Sequence, residues 1–193
     1  MTHARPKPVQ APMQALDVPF AIKSVARARD ADGAGLFEGI AATFNRGDRA
    51  GDIVLPGAFG RLDSGRVRLL WQHRPDQPIG VWEELRETPE GLFVRGRLLL
   101  DVQQGREAHA LLKAGAVDAL SIGFTVPPGG AELEAATGLR RLKRIELWEV
   151  SIVTFPADQE ARIRRVRTAP VPPAARGLAE EIRRLARCLR RGA

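Results

Sequence analysis

Apolar and polar residues alternate in PFAIKSVARA (19–28) and GLFEGIAATFN (35–45), which predicts two half-buried strands, because successive strand side chains point to opposite faces. RVRLLWQH (66–73) and DALSIGFTV (118–126) are short runs rich in β-formers and predict two more. PIGVWEELRETPEGLFVRGRLLL (78–100) predicts a hairpin with Pro89, Glu90 and Gly91 at its turn, and LRRLKRIELWEVSIVTFPA (139–157) predicts one long strand or two, stopped by Pro156. NRGDRAGDIVLPGAFGRL (45–62) and PPGGAELEAATG (127–138) read as loops, the first with a helical turn at GAFGRL. Within this region DVQQGREAHALLKAGAV (101–117) has the clearest helical pattern. Ala108, Leu111 and Leu112 share a face, Asp101 suits the N-cap and Gly115 suits the C-terminus.

About seven strands with one or two helices favour a mostly β barrel or sandwich over a βαβ fold. The organisation expected is a flexible arm over 1–17, a β domain over 18–167, a proline-rich linker over 168–177 and a helix over 178–193. In that last helix Leu178, Ile182, Leu185 and Leu189 form an apolar stripe among arginines.

Charge changes the picture only at the end of the chain. The net charge is +7, yet residues 161–193 hold 10 Arg and 2 Glu, while the preceding 160 hold 20 Lys/Arg and 21 Asp/Glu. The basic character therefore belongs to the tail, and a nucleic-acid function would rest on it alone. Aromatic residues at 5%, with no tyrosine, leave few platforms for stacking bases. Cys188 is the sole cysteine, which excludes an intrachain disulfide and a thiolate zinc cluster. No secretory leader and no run of about 20 apolar residues is visible. No cofactor or metal is expected.

Histidine and serine are both scarce. His3 falls in the arm, and His109 lies on the helix beside its apolar face and is expected to face solvent. His73 ends the strand 66–73 and begins the loop RPDQP, a position that suits a general base facing a cleft. Position alone favours the plainer reading, a surface histidine at a strand end. In LSIGF, Leu120, Ile122 and Phe124 share one face while Ser121, Gly123 and Thr125 share the other. A strand face of small and hydroxyl residues leaves room for a peptide, so Ser121 is either a nucleophile or a serine satisfied by backbone bonds. Glu149 interrupts an apolar stretch and shares a face with Ser151, and such a carboxylate needs a partner. That partner is either an imidazole or one of Arg140, Arg141, Lys143 and Arg144. Glu146, three positions away, is expected on the opposite face and paired with one of those cations.

Six segments occur in an order that resembles the prohead (procapsid) maturation proteases of tailed phages: FEGIAATFN, GDIVLPGAF, LLWQHRPDQPIG, GLFVRGRL, ALSIGFTV and LWEVSIVTFPA, spanning roughly residues 20–165. The resemblance implies a serine endopeptidase with the fold of herpesvirus assembly proteases, a closed β-barrel flanked by helices. It implies Ser121 as nucleophile and His73 as base, with Glu149 as the member that orients the base. Herpesvirus assembly proteases use a second histidine in that third position; this segment has none, so a carboxylate must serve. It also implies a substrate, the scaffolding segment of a major capsid protein or a separate scaffold, and a place of action inside an assembling procapsid in the bacterial cytoplasm. The source would be a phage, a prophage or a gene transfer agent.

Two other classes of function are weighed against this one. A non-enzymatic capsid assembly component would keep the fold without the chemistry, and a nucleic-acid binder would use the arginine tail. Under the protease reading the tail helix is expected to dock on an acidic scaffold helix or to mediate self-association, and the plainer alternative is a helix packed back on its own barrel.

Overall fold

The computed structural model describes residues 34–167. The expected arm, the strand at 19–28, the linker and the terminal helix lie outside these residues. Ten strands and one helix follow in the order β1 (Leu36–Thr43), β2 (Asp52–Val54), β3 (Arg68–Trp71), β4 (Arg74–Glu87), β5 (Gly91–Leu98), α1 (Gln103–Ala114), β6 (Ala119–Thr125), β7 (Ala131–Leu133), β8 (Arg140–Leu142), β9 (Glu146–Val153) and β10 (Ile163–Val166).

Seven strands form one curled sheet in the order β10-β1-β5-β4-β3-β9-β6, and β2-β8-β7 form a second, smaller one. The expected closed barrel is not formed. β6 and β10 are the two edges of the large sheet, and they approach each other through a single bridge, Ala119 to Arg162, with no continuous ladder between them. Among the described residues, one edge of β6 is therefore unpaired beyond that bridge. α1 is the only helix among the described residues, where one or two flanking helices were expected.

The concave side of the large sheet holds the core. Trp82 and Phe37 are 1% and 2% exposed and meet edge to face with centroids 5.5 Å apart. Leu120, Val150 and Ile152, from the two strands that matter most below, are fully buried in the same cluster. Alternation then puts Ser121, Gly123, Glu149 and Ser151 on the other face. α1 packs on β4 and β5 through Gly105, Ala108 and Leu112. Gly105 is required there because an added Cβ would meet the Leu99 carbonyl at 2.2 Å.

Several local expectations are corrected. Val102, not Asp101, is the N-cap of α1, and no side chain caps it, whereas Gly115 closes the helix in the left-handed region at φ 69°. His109 does not simply face solvent, because its Nε2 is buried without a hydrogen-bond partner. The segment at GAFGRL forms turns and no helix. The loops at 45–62 and 127–138 contribute the short strands β2 and β7, held around β8 partly by the paired hydrogen bonds from Arg140 to Asp52, both 2.7 Å. The 139–157 segment is two strands, and β10 was not foreseen.

Candidate active site

β9 lies between β3 and β6, and it organises the site. β3 runs parallel to it with Leu70 opposite Ser151, and β6 runs antiparallel with Ser121 opposite Ser151 and Gly123 opposite Glu149. Directly opposed residues have Cβ atoms about 4.5–5.5 Å apart on the same face. Ser121 and Ser151 are thus neighbours, as are Gly123 and Glu149.

His73 reaches this face by a strained route. Trp71 pairs with Arg74, so Gln72 and His73 form a two-residue hairpin connection, and both have positive φ, 53° and 58°. Such turns usually place Asn or Gly at these positions, since a Cβ is disfavoured there. β9 offsets the strain. The Gln72 N–H donates to the Ile152 carbonyl at 3.0 Å, and its side-chain amide donates to Thr154 Oγ1 at 2.8 Å. The His73 N–H donates to Ser151 Oγ at 3.1 Å. The loop expected at RPDQP is a bulge within β4. Pairing jumps from Trp71–Arg74 to Leu70–Pro78, leaving Pro75, Asp76 and Gln77 outside the ladder. Pro75 and Pro78 lack the N–H that a continuous ladder requires.

The turn delivers the imidazole to Glu149. His73 Nδ1 lies 2.7 Å from Glu149 Oε1, and the Glu149 side chain is only 13% exposed. Ser151, fully buried, donates its hydroxyl proton to Glu149 Oε2 at 2.6 Å. Both carboxylate oxygens are therefore engaged, which suits a charge held away from bulk water. With Nδ1 committed to the carboxylate, Nε2 is the nitrogen left to accept a proton.

Gly123 accounts for where the carboxylate lies. A Cβ added to Gly123 would meet Glu149 Oε1 at 2.2 Å and its Cδ at 2.8 Å. The oxygen that binds His73 is thus the one lying over β6, on the face that carries Ser121. Gly123→Ala should fold, because the clash is with the end of a flexible side chain, but it should displace the carboxylate from His73. Under the protease reading that the sequence resemblance implies, peptide hydrolysis is expected to fall about 100-fold or more with the melting temperature nearly unchanged, consistent with the loss that follows about 1 Å of misplacement. Enzyme assays beside thermal denaturation will check this.

Ser121 itself is buried, 7% exposed. Among the described residues no hydrogen bond of its hydroxyl is found. The structure brings His73 and Glu149 into direct contact and puts Ser121 one strand from Glu149, without a hydrogen bond between Ser121 and His73.

Glu146 differs from its expected setting. The β6–β9 register shifts between Gly123 and Phe124, with Phe124 opposite Leu147 and Gly123 opposite Glu149, so Trp148 is an extra residue on β9. The bulge returns Glu146 to the side of Thr125, which donates its hydroxyl to Glu146 Oε2 at 3.3 Å. No ion pair of Glu146 with Arg140, Arg141, Lys143 or Arg144 occurs among the described residues. The bulge also leaves Trp148 56% exposed.

The sequence reading did not single out Ser151, Gln72 and Thr154 as part of this site. The period-two pattern did place Ser151 beside Glu149, and that was the available signal. Nothing in the chain marked Gln72–His73 as a turn.

A family model described as caudovirus prohead serine protease matches residues 23–172. The prohead protease of Enterobacteria phage HK97 is 37% identical over 134 residues, covering 67% of this chain and 59% of that protein. The capsid polyprotein of Pseudomonas phage PAJU2 is 37% identical over 137 residues, covering 67% of this chain and 20% of that protein. The chain thus spans about three fifths of the first relative's length and a fifth of the second's. Among solved structures, the KSHV protease in complex with a hexapeptide phosphonate inhibitor aligns with a TM-score of 0.42 at 11% identity, over 79% of this chain and 76% of that one. With most of its length matched by that family model, the chain belongs to the caudovirus prohead serine protease family.

Proposed function

We propose that this chain is a serine endopeptidase that cuts the scaffolding segment of a major capsid protein during procapsid maturation. The observation that carries the reading is the Glu149–His73 hydrogen bond, lying over Gly123 on the face of β6 that bears Ser121. In the step proposed, His73 Nε2 takes the Ser121 proton as Oγ attacks the scissile carbonyl carbon, and Glu149 stabilises the imidazolium. The tetrahedral intermediate collapses as His73 gives that proton to the leaving amine. Water, deprotonated by His73, then hydrolyses the acyl-enzyme and restores Ser121. Among the described residues β6 is an edge strand, bridged on its outer side only at Ala119, which leaves the edge beyond that bridge for an extended peptide to approach.

The choice of substrate is supported by family membership together with the names of the relatives, a prohead protease and a capsid polyprotein. Co-expression with a major capsid protein from the same genome tests the proposal. Mass spectrometry should find a shortened capsid protein with one new terminus, and an intact capsid protein in the presence of folded protease would contradict the reading.

A further inference from the structure

We propose that Ser151 is a positioning residue for the His73–Glu149 pair, an inference that rests on the serine-protease reading above. Its hydroxyl stands between the two. A backbone N–H can only donate and a carboxylate can only accept. The His73 N–H therefore donates to Ser151 Oγ at 3.1 Å, and the Ser151 proton goes to Glu149 Oε2 at 2.6 Å. Glu149 Oε1 meets His73 Nδ1 at 2.7 Å. The result is a closed ring in which His73 is tied to one carboxylate twice, directly through its imidazole and through Ser151 by its backbone.

This ring does two things that a packing serine would not. It fixes the rotamer of Glu149, since a carboxylate held at both oxygens cannot swing away from Gly123. By holding the carboxylate against Nδ1 it also keeps the imidazole in the tautomer that Glu149 selects. With a proton already pointing at Oε2, the remaining oxygen is the acceptor for Nδ1–H, and Nε2 keeps its lone pair for Ser121. Ser151 is fully buried opposite Ser121. Hydrogen bonds that orient a functional side chain from behind are worth about 10- to 100-fold in the metal sites where they have been measured.

The test uses the whole protein, a peptide substrate and a peptidyl phosphonate. Ser151→Ala is expected to lower kcat about 10- to 100-fold with KM unchanged. In a Glu149→Gln background the same substitution should add almost nothing, because Ser151 acts through Glu149. Nitrogen NMR of the wild type should show Nδ1 of His73 protonated, and Ser151→Ala should mix the tautomers. Should Ser151→Ala fail to fold, Ser151→Cys, of similar shape with a weaker donor, takes its place in both measurements. Unchanged kcat in the single variant, or a full additional loss in the Glu149→Gln background, overturns the proposal. Phosphonate labelling separates this failure from failure of the serine-protease reading. If the wild type is labelled at Ser121 and Ser151→Ala is labelled equally fast, only the positioning role falls, and if the wild type is not labelled the underlying reading falls.

Discussion

Ser121→Ala is expected to give a folded protein whose peptide cleavage is lowered by about 10^6-fold, the scale seen when a serine protease loses its nucleophile. The fold should hardly notice. The side chain is small, and its hydroxyl has no partner among the described residues, so no buried group is left unsatisfied by its removal. His73→Ala should lose a similar factor, and the Ser121→Ala/His73→Ala double variant should be hardly slower than either single one, because nucleophile and base act as a unit. Steady-state rates with a capsid-derived peptide, beside circular dichroism of each variant, provide the check. Multiplicative losses in the double variant would mean that the two residues serve separate functions.

Glu149→Gln is the second large effect, about 10^4-fold in kcat. The substitution keeps the shape but offers an amide that can donate to Nδ1. His73 is then held with its proton on Nε2, and that nitrogen can no longer take one from Ser121. The structure adds a contrast. Glu146 bonds Thr125 and does not contact His73, so Glu146→Gln should leave the rate within about twofold, on the scale of ordinary surface changes. Equal damage from the two substitutions would mean that Glu146, despite its bond to Thr125, also acts on His73.

How far the sequence carried this site depends on which physical signal was local. Strand alternation put Ser121 with Gly123, and Glu149 with Ser151, and the β6–β9 register then set these pairs face to face. That information is written in side-chain periodicity, so it was legible. The turn at Gln72–His73 was not, because its positive φ values are imposed by β9 through the Gln72–Ile152 and Gln72–Thr154 bonds, contacts between residues far apart in the chain. No Asn, Asp or Gly announces it. The bulge at Trp148 was equally silent. One extra residue reverses the alternation on its far side, which is why Glu146 was expected on the wrong face.

The global fold shows the same division. The hairpin of β4 and β5 was legible from its apolar pattern and from Pro89 to Gly91. Closure was not, because whether a curled sheet seals depends on the reach of its two edge strands. Here β10 is four residues long, and the one bridge to β6 is made by Arg162, the residue just before it. β2, β7 and β8 are three residues each, too short for a period to show against their glycine-rich surroundings.

The central claim is that Ser121 is a nucleophile activated by His73, and one labelling experiment bears on it most directly. The protein is incubated with a peptidyl phosphonate, and the modified residue is located by peptide mapping and mass spectrometry. The account predicts a single adduct on Ser121 in the wild type and none in His73→Ala. No adduct on the folded wild type, or an adduct on Ser151 or another serine in place of Ser121, would contradict it.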